Sequence, residues 1–159
     1  MSAVIGVLPG DRRHIPASHL DLAECPRVAA LTTVMPDGSP QTSVVWCDLD
    51  PDGEHVRVNT MRGFRKERNM RRNPRVTLLC FDPRVDGRYL EVRGVVDEIT
   101  EVGALAHLDA LTAKYAGRPM RYFGECVPAA LAETEIPVLC RIRPTHVVAL
   151  DVSAPEARP

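Results

Sequence analysis

Between Met61 and Arg75 the chain reads MRGFRKERNMRRNPR, which sets seven basic side chains against a single acid, Glu67. Guanidinium forks and ammonium groups crowded in this way suit an anion with several oxygens, such as a phosphate. Lysine is scarce, with only Lys66 and Lys114 among the 20 basic residues. A compact ammonium at one defined point is suited to a single phosphate contact. Just upstream, Thr60 is in phase with Val56 and Val58, so an inward apolar row closes on a hydroxyl that could donate to the same anion. The competing reading is a solvated helix face whose arginines pair with carboxylates elsewhere.

The local elements decide how these charges are aimed. Residues 55–60 (HVRVNT) read as a strand. From Phe64 to Asn73 there are good helix formers and no β-branched residue, and Pro74 disfavours helix at the position before it. The charges therefore lie on a short helix that starts where a strand stops. Its N-terminal N–H groups and dipole add to the arginine forks.

Upstream, 16–25 (PASHLDLAEC) reads as a short helix ended by Pro26, and residues 1–15 as an irregular arm. Residues 27–35 alternate, a second strand is expected over 41–50 after the turn signal PDGSP, and with 55–60 they predict a three-stranded antiparallel meander. Downstream, 75–82 is apolar on both faces and predicts a central strand, while 88–100 predicts a long alternating one. Val102, Leu105, Leu108, Leu111 and Tyr115 recur at spacings of three and four, which predicts an amphipathic helix over 101–115. Residues 116–136 are irregular, and within them 117–126 reads as a packed loop rather than a lid. Residues 137–143 and 145–151 predict two closing strands around Pro144, followed by a tail at 152–159.

Consecutive hairpins with few helices make the chain mainly β, a closed or nearly closed barrel in a single domain with a core over about 16–151. Val44, Trp46, Leu79 and Phe81 exceed what one core needs, and a homodimer would cover the surplus.

Composition removes several functions. The net charge of −1 and 4% aromatic content give neither the basic field nor the stacking surface that nucleic acid requires. No apolar run approaches the roughly 20 residues needed to cross a bilayer, and the N-terminus carries no secretory pattern, so a cytoplasmic location is expected. The five cysteines form no C-x-x-C pair and read as reduced core residues. The five histidines lack metal-ligand spacing, and no metal site is expected.

Taken in order, ALTTVMPDGSPQTSVVW, VNT, RKERNMRRNPRVTLL and YLEVRGVVDEIT resemble the flavin and deazaflavin oxidoreductases of the pyridoxamine 5′-phosphate oxidase-like superfamily, and most of all its branch that uses coenzyme F420. The resemblance covers residues 27–150. It implies a split β-barrel of the FMN-binding type, with the cofactor in a groove between two subunits. The family pattern falls on Asn59, Thr60, Lys66, Asn69, Arg72, Pro74 and Arg75, and it implies that Thr60, Arg65, Lys66 and Asn69 hold the cofactor phosphate. Ser43, Val44, Val45 and Trp46 would run along the ring, with Thr33, Met35 and Pro36 bordering the pocket.

The C-terminal arginine motif of true pyridoxamine phosphate oxidases is missing: Arg141 and Arg143 alternate on a strand without it, so vitamin B6 oxidation is not expected. A heme-degrading role would need His146 or His55, and no spacing recommends either. FMN ends in one phosphate, whereas F420 adds a phosphodiester and an oligoglutamate tail, which Arg68, Arg71 and Arg72 could meet. The surplus of positive charge favours F420 over FMN. The expected activity is hydride transfer to an electron-poor small molecule such as an enone, quinone or tetrapyrrole. An FMN enzyme and a non-catalytic carrier are the alternatives. Tyr89, Cys47 and Asp48 are the candidate proton donors.

Overall fold

The computed structural model describes residues 13–24 and 28–152. Most of the expected arm, Cys25 to Arg27 and nearly all of the tail lie outside them. The described chain forms α1 (Leu20–Glu24), β1 (Ala29–Val34), β2 (Pro40–Val45), β3 (Cys47–Leu49), β4 (Val56–Met61), α2 (Arg65–Arg72), β5 (Arg75–Phe81), β6 (Arg88–Thr100), α3 (Ala104–Ala116) and β7 (Pro137–Asp151).

All seven strands join one antiparallel sheet in the order β2-β1-β5-β6-β7-β4-β3. Its two edge strands, β2 and β3, are consecutive in the chain and separated only by Trp46. A sheet whose opposite edges are one residue apart must curl, and the result is a split β-barrel. Inward residues of alternating strands fill it, with Leu31, Val58, Leu78, Leu90, Val92, Val138 and Ile142 shielded from water. Each such side chain contributes roughly 1.5–3 kcal/mol by leaving water.

Two strands differ from expectation in a compensating way. The expected strand 41–50 breaks at Trp46, with β2 pairing β1 and β3 pairing β4, so the three-stranded meander does not form. Conversely, the two expected closing strands are one, β7, which runs 15 residues through Pro144. A proline lacks the N–H that a ladder needs, and a mid-sheet position normally rejects it. Here Pro144 pairs with Gly94, where the β6–β7 register shifts, and the bulge absorbs the defect. β5 is central as expected, between β1 and β6.

The expected helix over 101–115 begins later, after Gly103 in the left-handed region (φ 73°), and turns a different face inward. Ala104, His107, Leu108, Leu111 and Thr112 are buried, while Val102 is 85% and Leu105 49% exposed. Hydrophobicity misplaced the stripe because a histidine and a threonine belong to it, each buried with a hydrogen-bond partner. The segment after α3 contains an irregular turn at Tyr122–Cys126, where Phe123 is extended and Gly124 lies in the left-handed region, and a short helical turn at Ala129–Glu133. Cys47, Cys80 and Cys140 are reduced core residues, but Cys126 is exposed, so the core expectation fails for it.

Gly94 is required by close approach: a Cβ there would lie 2.6 Å from Ile142 Cγ2 and 2.7 Å from the Arg143 carbonyl oxygen. Gly94→Ala is expected to cost about 1–3 kcal/mol in urea unfolding, and Val102→Ala less than about 0.5 kcal/mol. Equal stability for the two variants would show that the bulge tolerates a side chain.

Candidate functional site

The break at Trp46 opens a cleft. With β2 and β3 parted, Val44, Val45 and Trp46 form one wall, Asn59 and Lys66 another, and Leu108, Leu111 and Tyr122 a third, around 190 Å³. Trp46 stacks on Tyr115 of α3 with ring centroids 5.0 Å apart, and its edge meets Tyr122 at 6.5 Å. Because neither sheet edge takes the N–H of Cys47, it donates instead to the Tyr115 hydroxyl at 3.1 Å. The cleft thus sets aromatic and aliphatic side chains beside a polar side formed by Asn59 and Lys66.

Lys66 is the unusual charge. It is partly buried on α2, and burial lowers its pKa because desolvation opposes the ammonium. No carboxylate among the described residues neutralises it; its nearest favourable contact is the Phe64 ring, 5.9 Å from nitrogen to centroid. Glu67, one residue on, is buried and already engaged, accepting from Gly63 N–H at 3.0 Å and from Arg71 Nε. Glu67 holds the turn that starts α2 in place of a side-chain N-cap.

Among the described residues, three buried side-chain polar atoms have no partner: Ser43 Oγ, Asn59 Oδ1 and Thr60 Oγ1. All three belong to residues that the sequence assigns to the site. An orphaned buried polar atom costs about 1–3 kcal/mol, a cost that a ligand can relieve. Thr60 closes the inward row of Val56 and Val58 as expected.

The remaining expected residues divide. Val44, Val45, Trp46, Asn59 and Lys66 meet in the cleft. Asn69 and Thr33 are buried against each other, with Asn69 Nδ2 donating to Thr33 Oγ1 at 2.9 Å and Thr33 donating to Gln41 Oε1 at 3.2 Å. They tie α2 to β1. Arg72 donates to the Val34 carbonyl at 2.7 Å and Arg71 is paired to Glu67, whereas Arg65 and Arg68 are exposed and have no side-chain partner among the described residues. Met35 accepts from Asn69 through its sulfur, and Pro36 sits in the exposed turn.

Of the three candidate proton donors, none lines the cleft. Cys47 is buried against Cys80 and the Ala23 carbonyl, and Tyr89 lies in the β5–β6 ladder opposite Phe81. Burial would raise the Asp48 pKa, but hydrogen bonds from His107 (3.0 Å) and Arg57 (2.9 and 2.6 Å) outweigh it and hold the carboxyl below its ordinary value. An ionised Asp48 accepts protons poorly placed for delivery to the cleft. Tyr122 does line it, and burial, aided by Glu135, raises its pKa, so the phenol keeps its proton. His107, Tyr122, Leu108 and Leu111 were not read as site residues, because only the fold brings α3 and the following turn to the gap between β2 and β4.

Asp48 also predicts an acid sensitivity. Its folded pKa is depressed, so its stabilising contribution is present above the unfolded value of about 3.9 and is lost as pH falls through the folded value. Asp48→Asn is expected to flatten the decline in stability below about pH 4 relative to wild type. Parallel pH–stability curves in urea would show that the pair contributes nothing.

Arg141 is committed to Asp50, Asp52 and Glu98, and Arg143 to Asp97. Residues 15–150 match the family model described as pyridoxamine 5′-phosphate oxidase. No curated protein matches the chain. Among solved structures, the chain is similar to an F420 reductase, with 32% identity over 84% of this chain and 98% of that one and a TM-score of 0.69. It is also similar to a conserved hypothetical protein from Mycobacterium tuberculosis, with 25% identity, 95% of each chain covered and a TM-score of 0.69. HupZ of Group A Streptococcus, 18% identical over 91% of this chain and 99% of that one with a TM-score of 0.59, shares the fold. The match over nearly the whole barrel, on a chain that carries the NT, K-x-x-N and R-x-P-R pattern around its cleft, places this protein in the pyridoxamine 5′-phosphate oxidase family of split barrels.

Proposed function

We propose that the protein is a flavin- or deazaflavin-type oxidoreductase that uses coenzyme F420, with the ring in the Trp46 cleft and the phosphate at Lys66. The observation that carries this reading is the half-buried, carboxylate-free ammonium of Lys66 in the wall of an aromatic cleft. Ser43, Asn59 and Thr60 add three orphaned polar atoms on the strands beside it, the chemistry that a polar ring edge and a phosphate would satisfy. The similarity to an F420 reductase supports the choice of cofactor.

When bound, the deazaflavin supplies hydride transfer to an electron-poor acceptor. The chain's own residues hold and orient. Trp46, Val44, Leu108 and Leu111 offer apolar surface to a flat ring, Lys66 and Thr60 hold the anionic end, and Tyr122 keeps a phenolic proton at the cleft wall. Arg65 and Arg68, unpaired and exposed on α2, are the side chains available to an anionic tail; Arg71 and Arg72 already have protein partners. Paired Arg141 and Arg143 favour this reading over pyridoxamine phosphate oxidation.

A second copy of the chain completes the groove in this proposal. The cleft is smaller than the roughly 300–1,000 Å³ of sites that enclose a ligand. Val44 (67% exposed) and Phe81 (46%), with Val28 beside them, leave an apolar strip on the outer face that a homodimer would cover.

The test is fluorescence titration with F420, FMN and riboflavin, which lacks the phosphate. Lys66→Ala should weaken binding of F420 or FMN by about 10- to 100-fold, the weight of a charge-assisted hydrogen bond, and leave riboflavin unchanged. Arg68→Glu should weaken F420 and spare FMN. A yellow protein on purification, indifferent to Arg68, would establish FMN instead, and tight binding without turnover would establish a carrier. Binding of neither cofactor would overturn the proposal.

A further inference from the structure

One of the orphaned acceptors, Asn59 Oδ1, belongs to a residue of the cleft wall whose amide is oriented by a chain of side chains behind it. Asn59 Nδ2 lies 2.8 Å from the Ala104 carbonyl oxygen and 3.2 Å from His107 Nδ1. A carbonyl oxygen can only accept, so the amide nitrogen must face α3. Its second hydrogen then requires a lone pair on His107 Nδ1. That demand is met because His107 Nε2 is 3.0 Å from Asp48 Oδ1, and an ionised carboxylate, itself clamped by two bonds from Arg57, accepts only. The imidazole proton is thereby placed on Nε2 and the lone pair on Nδ1. Turning the Asn59 amide over would set Oδ1 against the Ala104 carbonyl and leave two acceptors facing each other. Both donors of Asn59 are consumed, and Oδ1 is the atom left without a protein partner in a residue that lines the cleft.

We propose that His107, held by Asp48 and Arg57, locks Asn59 as a fixed hydrogen-bond acceptor, so that the cleft selects a ligand presenting an N–H donor at that point. Resting on the cofactor reading above, the donor is the imide N–H of the flavin or deazaflavin ring, the ring nitrogen that carries a hydrogen in the oxidised form of both. A carbonyl edge placed there would meet Oδ1 acceptor to acceptor. His107 is a positioning residue that acts through Asn59, and α3 contributes specificity although it was read only as packing.

The experiment titrates the full chain with F420 and FMN, each beside a counterpart methylated on the imide nitrogen. For whichever parent binds, wild type should bind the methylated form at least about tenfold more weakly, the effect of one lost hydrogen bond with its acceptor left unpaired. Asn59→Leu, which keeps the volume and removes the acceptor, should lower the parent's affinity to that of the methylated ligand and abolish the difference. His107→Ala should shrink the ratio without abolishing it, because the amide then keeps the Ala104 carbonyl as its one remaining restraint against turning; a ratio changes only through selectivity, so a uniform loss of affinity does not imitate it. Equal binding of both forms by wild type overturns the inference while leaving the cofactor reading intact. A methylation penalty that survives in Asn59→Leu also overturns it, since the cause is then steric. A full ratio in His107→Ala removes the positioning role, and if that variant does not fold, the Asn59→Leu comparison decides. Absence of binding by either parent overturns the cofactor reading and this inference with it.

Discussion

One stretch of chain, residues 40–49, has to serve both edges of a single sheet. β2 completes the ladder on β1 and β3 completes the ladder on β4, at opposite ends of the strand order. The sheet cannot lie flat under that constraint, and Trp46, between the two, cannot belong to either ladder. The consequences run outward from this residue. Its ring goes to Tyr115, the neighbouring Cys47 N–H is taken by the same tyrosine's hydroxyl, and α3 is drawn across the gap. The barrel is split where the chain crosses from one edge to the other, and the cleft is the space left by the crossing.

Electrostatics around that space are ordered by which charges are already paired. Arg57, Arg71, Arg88, Arg141 and Arg143 have carboxylate partners, and Arg72 is bonded to a strand carbonyl. Lys66, Arg65 and Arg68 do not have such partners, and all three lie on the first half of one helix. Along α2 the charge is therefore divided: Arg71 and Arg72 bind the helix to itself and to β1, while Arg65, Lys66 and Arg68 have no carboxylate partner among the described residues; ahead of the helix, Arg62 is paired with Glu101. Surface pairs of this kind add little stability individually. Their value here lies in removing competitors, so that an incoming anion meets only the unpaired cations.

The polarity of the cleft is set at a distance from its surface. Arg57, Asp48, His107 and Asn59 form a line across β3, β4 and α3, each fixing the donor or acceptor role of the next. Such a network is costly if left half satisfied. Here the hydrogen bonds run unbroken from Arg57 to Asn59, and the atom left without a partner is Oδ1 of Asn59, a residue of the cleft wall.

Much of this was legible in the sequence because it depends on local spacing. Alternation placed β1 and β6, an apolar run on both faces placed β5, turn signals bounded β4, breaker residues bounded α2, and the ordered motifs brought out Ser43, Asn59, Thr60 and Lys66. The break in 41–50 was not legible, because Val44, Val45, Trp46 and Cys47 form an unbroken apolar run with no turn residue and pairing partners far along the chain decide where a strand changes edge. Pro144 misled for the related reason that a bulge opposite Gly94 makes room for it. The buried face of α3 was misread because His107 and Thr112 count as polar until their partners are known. Sequence by itself determined which residue types were available for an anion and on which elements they sit, since propensity and periodicity act over a few residues. Only the tertiary structure decided which cations lack a carboxylate among the described residues, which way the Asn59 amide is turned and where the barrel opens, since those depend on groups from separate strands and helices meeting in space.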